Sequence, residues 1–68
     1  MEIRYDEDAD ALYIKIVNRE GFRTEEKDEN TILDYDKDGN IIGLEFLFVK
    51  ERMPEFLKSI KKEKIIQI

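Results

Sequence analysis

The eighteen residues from Ile32 to Val49 constrain this chain most: Ile-Leu-Asp-Tyr-Asp-Lys-Asp-Gly-Asn-Ile-Ile-Gly-Leu-Glu-Phe-Leu-Phe-Val. A half-apolar run, Thr31 to Asp36, enters an acidic turn that contains Gly39, and the most apolar run in the chain leaves it. Two β-prone runs joined by a short acidic turn with a glycine read as a β-hairpin. In the second run Ile42, Leu44, Phe46 and Phe48 share one face, while Ile41, Gly43, Leu47 and Val49 share the other with Glu45. Both faces are largely apolar, so this strand is expected at the centre of a sheet and covered on both sides.

The flanking sequence supplies the rest of that sheet. Glu2 to Asp6 alternates, with Ile3 and Tyr5 on one face, and Ala11 to Val17 alternates with Leu12, Ile14 and Ile16 toward the core. Asp6 to Asp10 is a turn, because aspartates bond nearby backbone N–H groups and compete with regular structure. Asn18 to Gly21 is a second turn, and Phe22 to Lys27 is a polar third strand suited to an edge. Downstream, Met53, Phe56, Leu57 and Ile60 mark one helical stripe, with Pro54 tolerated only in the first turn. The reading is a single α+β domain over 1–68: an antiparallel β-meander of about five strands over 1–49, packed with one C-terminal amphipathic helix over 53–62. Residues 64–68 form either a short sixth strand or a tail that crosses to a second subunit, so monomer and homodimer are both expected states.

Composition excludes several chemistries. The chain has 68 residues and neither cysteine nor histidine, which leaves no disulfide, no thiolate or imidazole zinc site, and no Cys–His or Ser–His nucleophile. A chain of this size buries only about 60% of its unfolded surface and is marginal without a metal or a partner chain. Charged residues are 43% of the total, mostly Glu, Lys and Asp, a balance expected of a thermophile. Residues 1–45 carry a net charge of -8 and residues 46–68 one of +3, and an acidic body disfavours nucleic acid. The N-terminus has no basic segment followed by an apolar one, and no run approaches the ~20 apolar residues of a membrane span. A cytoplasmic location is expected.

One motif carries metal chemistry. Asp34, Asp36 and Asp38, followed by Gly39, Asn40, Ile41 and Glu45, fill the pattern of an EF-hand calcium loop. Alternating carboxylates, the Asn40 carbonyl and a bidentate Glu45 are oxygen ligands of the kind calcium takes. The flanks argue against a helix on each side, since Thr31 to Tyr35 is β-prone and Gly43 stands where the exiting helix would begin. The same residues are therefore a structural hairpin turn, with a calcium site of Asp34, Asp36, Asp38, Asn40 and Glu45 as the alternative. A Glu45–Asp34 carboxylate pair is the one catalytic pairing on offer. Nothing else supplies a nucleophile, an oxyanion donor or a phosphate loop, and no enzyme is expected.

Tyr5-Asp-Glu-Asp-Ala-Asp-Ala-Leu-Tyr-Ile and Asp34-Tyr-Asp-Lys-Asp-Gly-Asn-Ile-Ile-Gly-Leu-Glu together resemble the family of domains of unknown function numbered 2283. The resemblance spans about residues 3–48, with Leu44 where the family usually has Ile. It implies a compact β-meander with no established activity. It also implies that Asp6, Asp10, Asp34, Asp36 and Gly39 are turn-makers. Relatives are described beside small toxin-like ribonuclease-fold proteins, which implies an antitoxin-like role. The expected function is a non-catalytic protein-binding module for a basic partner of that kind. A calcium-bound or calcium-stabilised domain is the alternative.

Overall fold

The computed structural model describes residues 1–62 and the backbone of Ile66 and Gln67. The strands are β1 (Glu2–Asp6), β2 (Ala11–Lys15), β3 (Arg23–Asp28), β4 (Thr31–Tyr35) and β5 (Ile41–Leu47). Two helical segments follow, α1 (Val49–Arg52) and α2 (Pro54–Lys62), and then β6 (Ile66–Gln67). The fold is α+β as expected, with five antiparallel strands in a meander-like sheet and a helical C-terminal region.

The strand order is β3-β4-β5-β2-β1-β6. The β3, β4 and β5 strands follow one another directly, and the β1–β2 hairpin adds to the free side of β5 through Ala11↔Leu47, Leu12↔Phe46 and Ile14↔Leu44. The link from β2 to β3 must therefore cross the ends of β5 and β4, the connection of a Greek key. The β5 strand is central, as its two apolar faces imply, but it is not covered on both: the helical region packs on the face of Phe46, while on the other face Glu45 and Leu47 are half-buried and Ile41 is exposed. The β3 strand is an edge, exposed at every position except half-buried Glu25, and an irregularity between Glu26 and Asp28 interrupts its pairing. Charge and a bulge on an edge both discourage pairing with another chain.

Cross-strand partners define the faces. Tyr5, Leu12 and Phe46 stand in one row, and Ile3, Ile14, Leu44 and Leu33 in the next, all on the same side. The helical region packs there: Tyr5, Leu12, Val49, Leu57 and Ile60 form the core, with Ile3, Phe46 and Met53 against it. Tyr5, Leu12 and Val49 are essentially inaccessible to water. A fully buried aliphatic side chain of this size contributes about 1.5–3 kcal/mol.

The helical region differs from one continuous helix over 53–62. It starts four residues earlier, at Val49, and breaks at Met53 (φ -136°). The break has a local cause, because a residue preceding proline is pushed out of the helical region by the ring. Pro54 then opens α2, where its missing N–H costs nothing. Val49, read in sequence as the end of β5, is the first residue of α1 instead. With Met53, Leu57 and Ile60 it makes a stripe at helical spacing that runs through the break. Phe56, expected on that stripe, is 39% exposed.

The β6 backbone pairs parallel to β1, Ile3↔Ile66 and Arg4↔Gln67. This is the short sixth strand of the expected alternatives. Since β5 and β1 are both antiparallel to β2, β5 and β6 run the same way, and parallel strands need a crossover. The helical region is that crossover, and its path explains why it covers β5, β2 and β1. Residues 63–65 and 68, with the side chains of the tail, lie outside the described residues.

Candidate functional site

The β4–β5 turn is built around the Asp36 carboxylate. Asp36 Oδ1 accepts the backbone N–H groups of Asp38 and Asn40, both at 2.9 Å, and Oδ2 accepts the Asn40 side-chain amide at 3.2 Å. The Gly39 N–H donates to the Asp36 carbonyl at 3.1 Å, and the Asp36 N–H donates to the Asn40 carbonyl at 2.9 Å. Gly39 has φ +85°, the left-handed conformation that glycine takes without penalty. The Arg19 guanidinium, from the β2–β3 crossover, donates to Asp36 Oδ2 at 3.1 Å. Only 6% of Asp36 is exposed, and it is the buried charged residue of the described chain. The Asn40 N–H holds its carboxyl down to about 2, with the Asn40 amide, Arg19 and the Asp38 N–H adding to the effect against the cost of burial.

The other members of the expected calcium set point elsewhere. Asp34 lies on the sheet face away from the helices, where Oδ2 accepts the Tyr13 hydroxyl at 3.1 Å and Oδ1 the Thr24 hydroxyl at 3.0 Å. Glu45 is half-buried in the row between Tyr13 and Ile32, and none of the ion pairs among the described residues includes it. Asp38 is exposed, and the Asn40 carbonyl closes the turn. Among the described residues no three acidic side chains gather closely enough to hold a metal ion. Asp34 and Glu45 share a face, but Tyr13 and Thr24 occupy Asp34. What the arrangement does chemically is satisfy backbone and hydroxyl donors.

Gly43 explains the path of Tyr13. A Cβ on Gly43 would stand 2.6 Å from the Tyr13 hydroxyl oxygen and 3.2 Å from Asp34 Oδ2. The tyrosine thus crosses over a bare strand position to reach a carboxylate two strands away. Its hydroxyl pKa is raised, first by burial and then by the bond to Asp34.

A second acidic centre lies at the opposite end of the sheet. Asp6 Oδ1 accepts the N–H groups of Asp8 and Ala9 at 3.0 and 3.1 Å, which forms the β1–β2 turn. Asp10, at φ 52°, accepts the Tyr5 hydroxyl at 2.7 Å and the Lys50 N–H at 3.0 Å. The latter bond caps α1 from forty residues away in the chain. The bond from Tyr5 leads the causes that lower the Asp10 pKa. Burial, followed by that bond to Asp10, pushes the Tyr5 hydroxyl up to about 12. At the same end the Leu47 N–H donates to the Asn30 carbonyl at 2.9 Å, and the β3–β4 turn closes on Asp28 Oδ1 through the Asn30 N–H at 2.8 Å.

Phe48 stands between these two turns. It has φ 56° and ψ 45°, caps α1 without a side-chain bond, and is 54% exposed. A left-handed conformation is unfavourable for a bulky L-residue, and such strain concentrates where a side chain is displayed. Strand periodicity assigns Phe48 to the core face with Ile42, Leu44 and Phe46, and only the end of β5 at Leu47 turns it out. No pattern in the sequence pairs Arg19 with Asp36 either, because their proximity depends on the strand order.

No helix of the described residues is long and apolar enough to cross a membrane. Comparison with curated proteins and with solved structures gives no match. One family model, described as a protein of unknown function (DUF2283), matches residues 2–50, from the start of β1 into α1. That span holds both acidic centres, Tyr13, Gly43 and all five antiparallel strands. The chain belongs to the DUF2283 family.

Proposed function

We infer that this protein is a non-catalytic protein-binding module, antitoxin-like in role, that takes a small basic protein at the acidic end of its sheet. The observation that carries this reading is Phe48, an exposed aromatic side chain on left-handed backbone between two acidic turns. Asp6, Glu7, Asp8, Glu26, Asp28 and Glu29 are all exposed at this end and outnumber the exposed cations there, Lys27, Lys50, Arg52 and Lys61, the last of which pairs with Glu7 at 3.3 Å. Buried aromatic anchors inside a charged rim dominate many protein interfaces, and a field of one sign speeds encounter with a partner of the other. The resemblance to proteins described beside ribonuclease-fold toxins supports a partner of that class. An acidic surface would also compete with RNA for such a partner's basic groove.

The test is calorimetry and NMR with a small basic protein of the ribonuclease fold. The reading expects amide shifts at residues 6–10, 26–30 and 47–50, and an association rate that falls as salt screens the field. Phe48→Gly is expected to weaken binding at least about tenfold, the effect of an interface anchor. Shifts confined to other surfaces, or unchanged affinity in Phe48→Gly, would sink this assignment.

A further inference from the structure

The helical region joins the sheet through one residue whose backbone runs against its sequence. Phe46, Leu47, Phe48 and Val49 are all β-prone, and their alternation continues β5. The chain instead leaves the strand at Phe48, with φ 56° and ψ 45°. Two residues other than glycine take a positive φ among the described residues, Asp10 and Phe48. An aspartate tolerates that conformation, whereas a bulky aromatic residue is an outlier there. The segment beyond this turn packs on the chain before it. Val49, Leu57 and Ile60 meet Tyr5 and Leu12 in the core, and the partly buried Met53, Ile3 and Phe46 lie against them. The Lys50 N–H donates to Asp10 at 3.0 Å. Lys61 Nζ lies 3.3 Å from Glu7 Oε1 and 5.2 Å from the centre of the Tyr5 ring, and the β6 backbone pairs with β1.

We propose that Phe48 is a hinge about which two copies of the chain exchange their helical regions, each covering the sheet of the other. An opened chain cannot persist alone. Its core cluster loses Val49, Leu57 and Ile60 and leaves Tyr5 and Leu12 in water. The uncovered face fits the stripe of Val49, Met53, Leu57 and Ile60, and a second copy carries an identical stripe. Exchange rebuilds each contact named above between the copies. The balance between closed and exchanged forms is then set by the hinge and by the free motion lost on pairing. The hinge favours exchange, because Phe48 leaves the left-handed region for the extended backbone that its sequence prefers. That relief is worth roughly 5- to 30-fold per hinge, and a dimer has two hinges. The acidic surplus at this end opposes the meeting of the two hinges, so exchange is favoured where salt screens it, at about 0.5 M. Opening exposes the core, so conversion between the forms is slow and needs warming toward the melting temperature.

The full chain is held at about 1 mM in about 0.5 M salt, a few degrees below its melting midpoint, then cooled and read by sedimentation velocity. Part of the 8.2 kDa monomer is expected to become a species of twice that mass. An equal mixture of isotope-labelled and unlabelled chains, treated in the same way, is expected to give isotope-filtered NMR contacts from Leu57 and Ile60 of one copy to Tyr5 and Leu12 of the other. Phe48→Gly takes the left-handed turn without strain, and the dissociation constant of its dimer is expected to rise at least about tenfold. Phe48→Val is β-branched and least suited to that turn, and its dissociation constant is expected to fall. Both variants lack the ring, so opposite shifts separate backbone strain from ring contacts. Circular dichroism confirms the fold of each, and if Phe48→Val does not fold, Phe48→Gly and the labelled mixture decide. A chain that stays monomeric after this treatment overturns the proposal. So does a dimer whose core contacts all stay within one copy, or a Phe48→Gly dimer with an unchanged or lower dissociation constant. These measurements use the chain alone, whereas binding of a basic protein is read on the monomer, so the failure of either reading leaves the other standing.

Discussion

Gly43 and Tyr13 form a pair whose chemistry can be separated by mutation. Gly43→Ala forces the Tyr13 ring aside and breaks its 3.1 Å bond to Asp34, an expected loss of about 1 kcal/mol. Tyr13→Phe removes both the bond and the oxygen that the new methyl group would meet. The double variant is expected to lose less than the sum of the two, by about 0.5–1 kcal/mol, in a chemical-denaturation cycle. Strict additivity would show that Tyr13 does not cross over Gly43. Phe48 offers a second check. At φ 56°, Phe48→Gly is expected to be more stable than Phe48→Ala by about 1 kcal/mol, the reverse of the order at an ordinary helical position. Residue identity alone reveals Gly39, because an acidic turn with a glycine has few other uses for it. It does not reveal Gly43, whose need for a bare strand position comes from a side chain thirty residues earlier.

The elements were more legible than the contacts between them. Alternation over Glu2–Asp6, Ala11–Lys15 and Ile41–Leu47 and the stripe of Met53, Leu57 and Ile60 give strand and helix from local physics. The start of the helical region at Val49 was hidden, since a β-branched residue after Phe46 and Leu47 continues a strand pattern as well as it opens a turn of helix. Leu57, 6% exposed on α2, is the contact on which the helical region depends. Leu57→Ala is expected to cost about 2–5 kcal/mol, a large share of the stability of so small a domain. At the crossover, Arg19 ties residues 16–22 to the β4–β5 turn through Asp36. Arg19→Ala leaves the two backbone bonds on Asp36 in place and is expected to lower the melting temperature by less than Asp36→Ala, which frees the N–H groups of Asp38 and Asn40 as well. Equal effects in differential scanning calorimetry would mean that Arg19 is the main reason for Asp36.

Across the whole molecule, the strand order sorts the charges. A -8 segment followed by a +3 segment in sequence becomes a sheet with an acidic end and a nearly balanced end. The composition does not disclose this, because it depends on β2 pairing with β5. The same acidic turns set the pH dependence of the fold. The carboxyl pKa of Asp36 is lowered to about 2 and that of Asp10 is lowered as well. Their contribution is complete above the unfolded carboxyl value of about 4 and is lost as pH falls toward 2. Tyr5 is raised to about 12, so its contribution is complete below the unfolded value of about 10 and is lost as pH rises toward 12. Urea melts are thus expected to give a plateau between about pH 5 and 9 that falls on both sides.

Most of the calcium-loop pattern is accounted for by these internal bonds. Asp36 and Asn40 serve the turn, Asp34 serves Tyr13 and Thr24, and Gly39 serves the backbone. The central claim is that the Asp36 carboxylate is a structural clamp, charged and enclosed by four donors. The most direct test is a side-chain carbon NMR titration of Asp36 from pH 7 to pH 1.5. The account predicts a midpoint near 2, accompanied by movement of the Asp38 and Asn40 amides and of the Arg19 guanidinium signals. A midpoint at or above the ordinary aspartate value of about 3.9, with those donors unmoved, would contradict it.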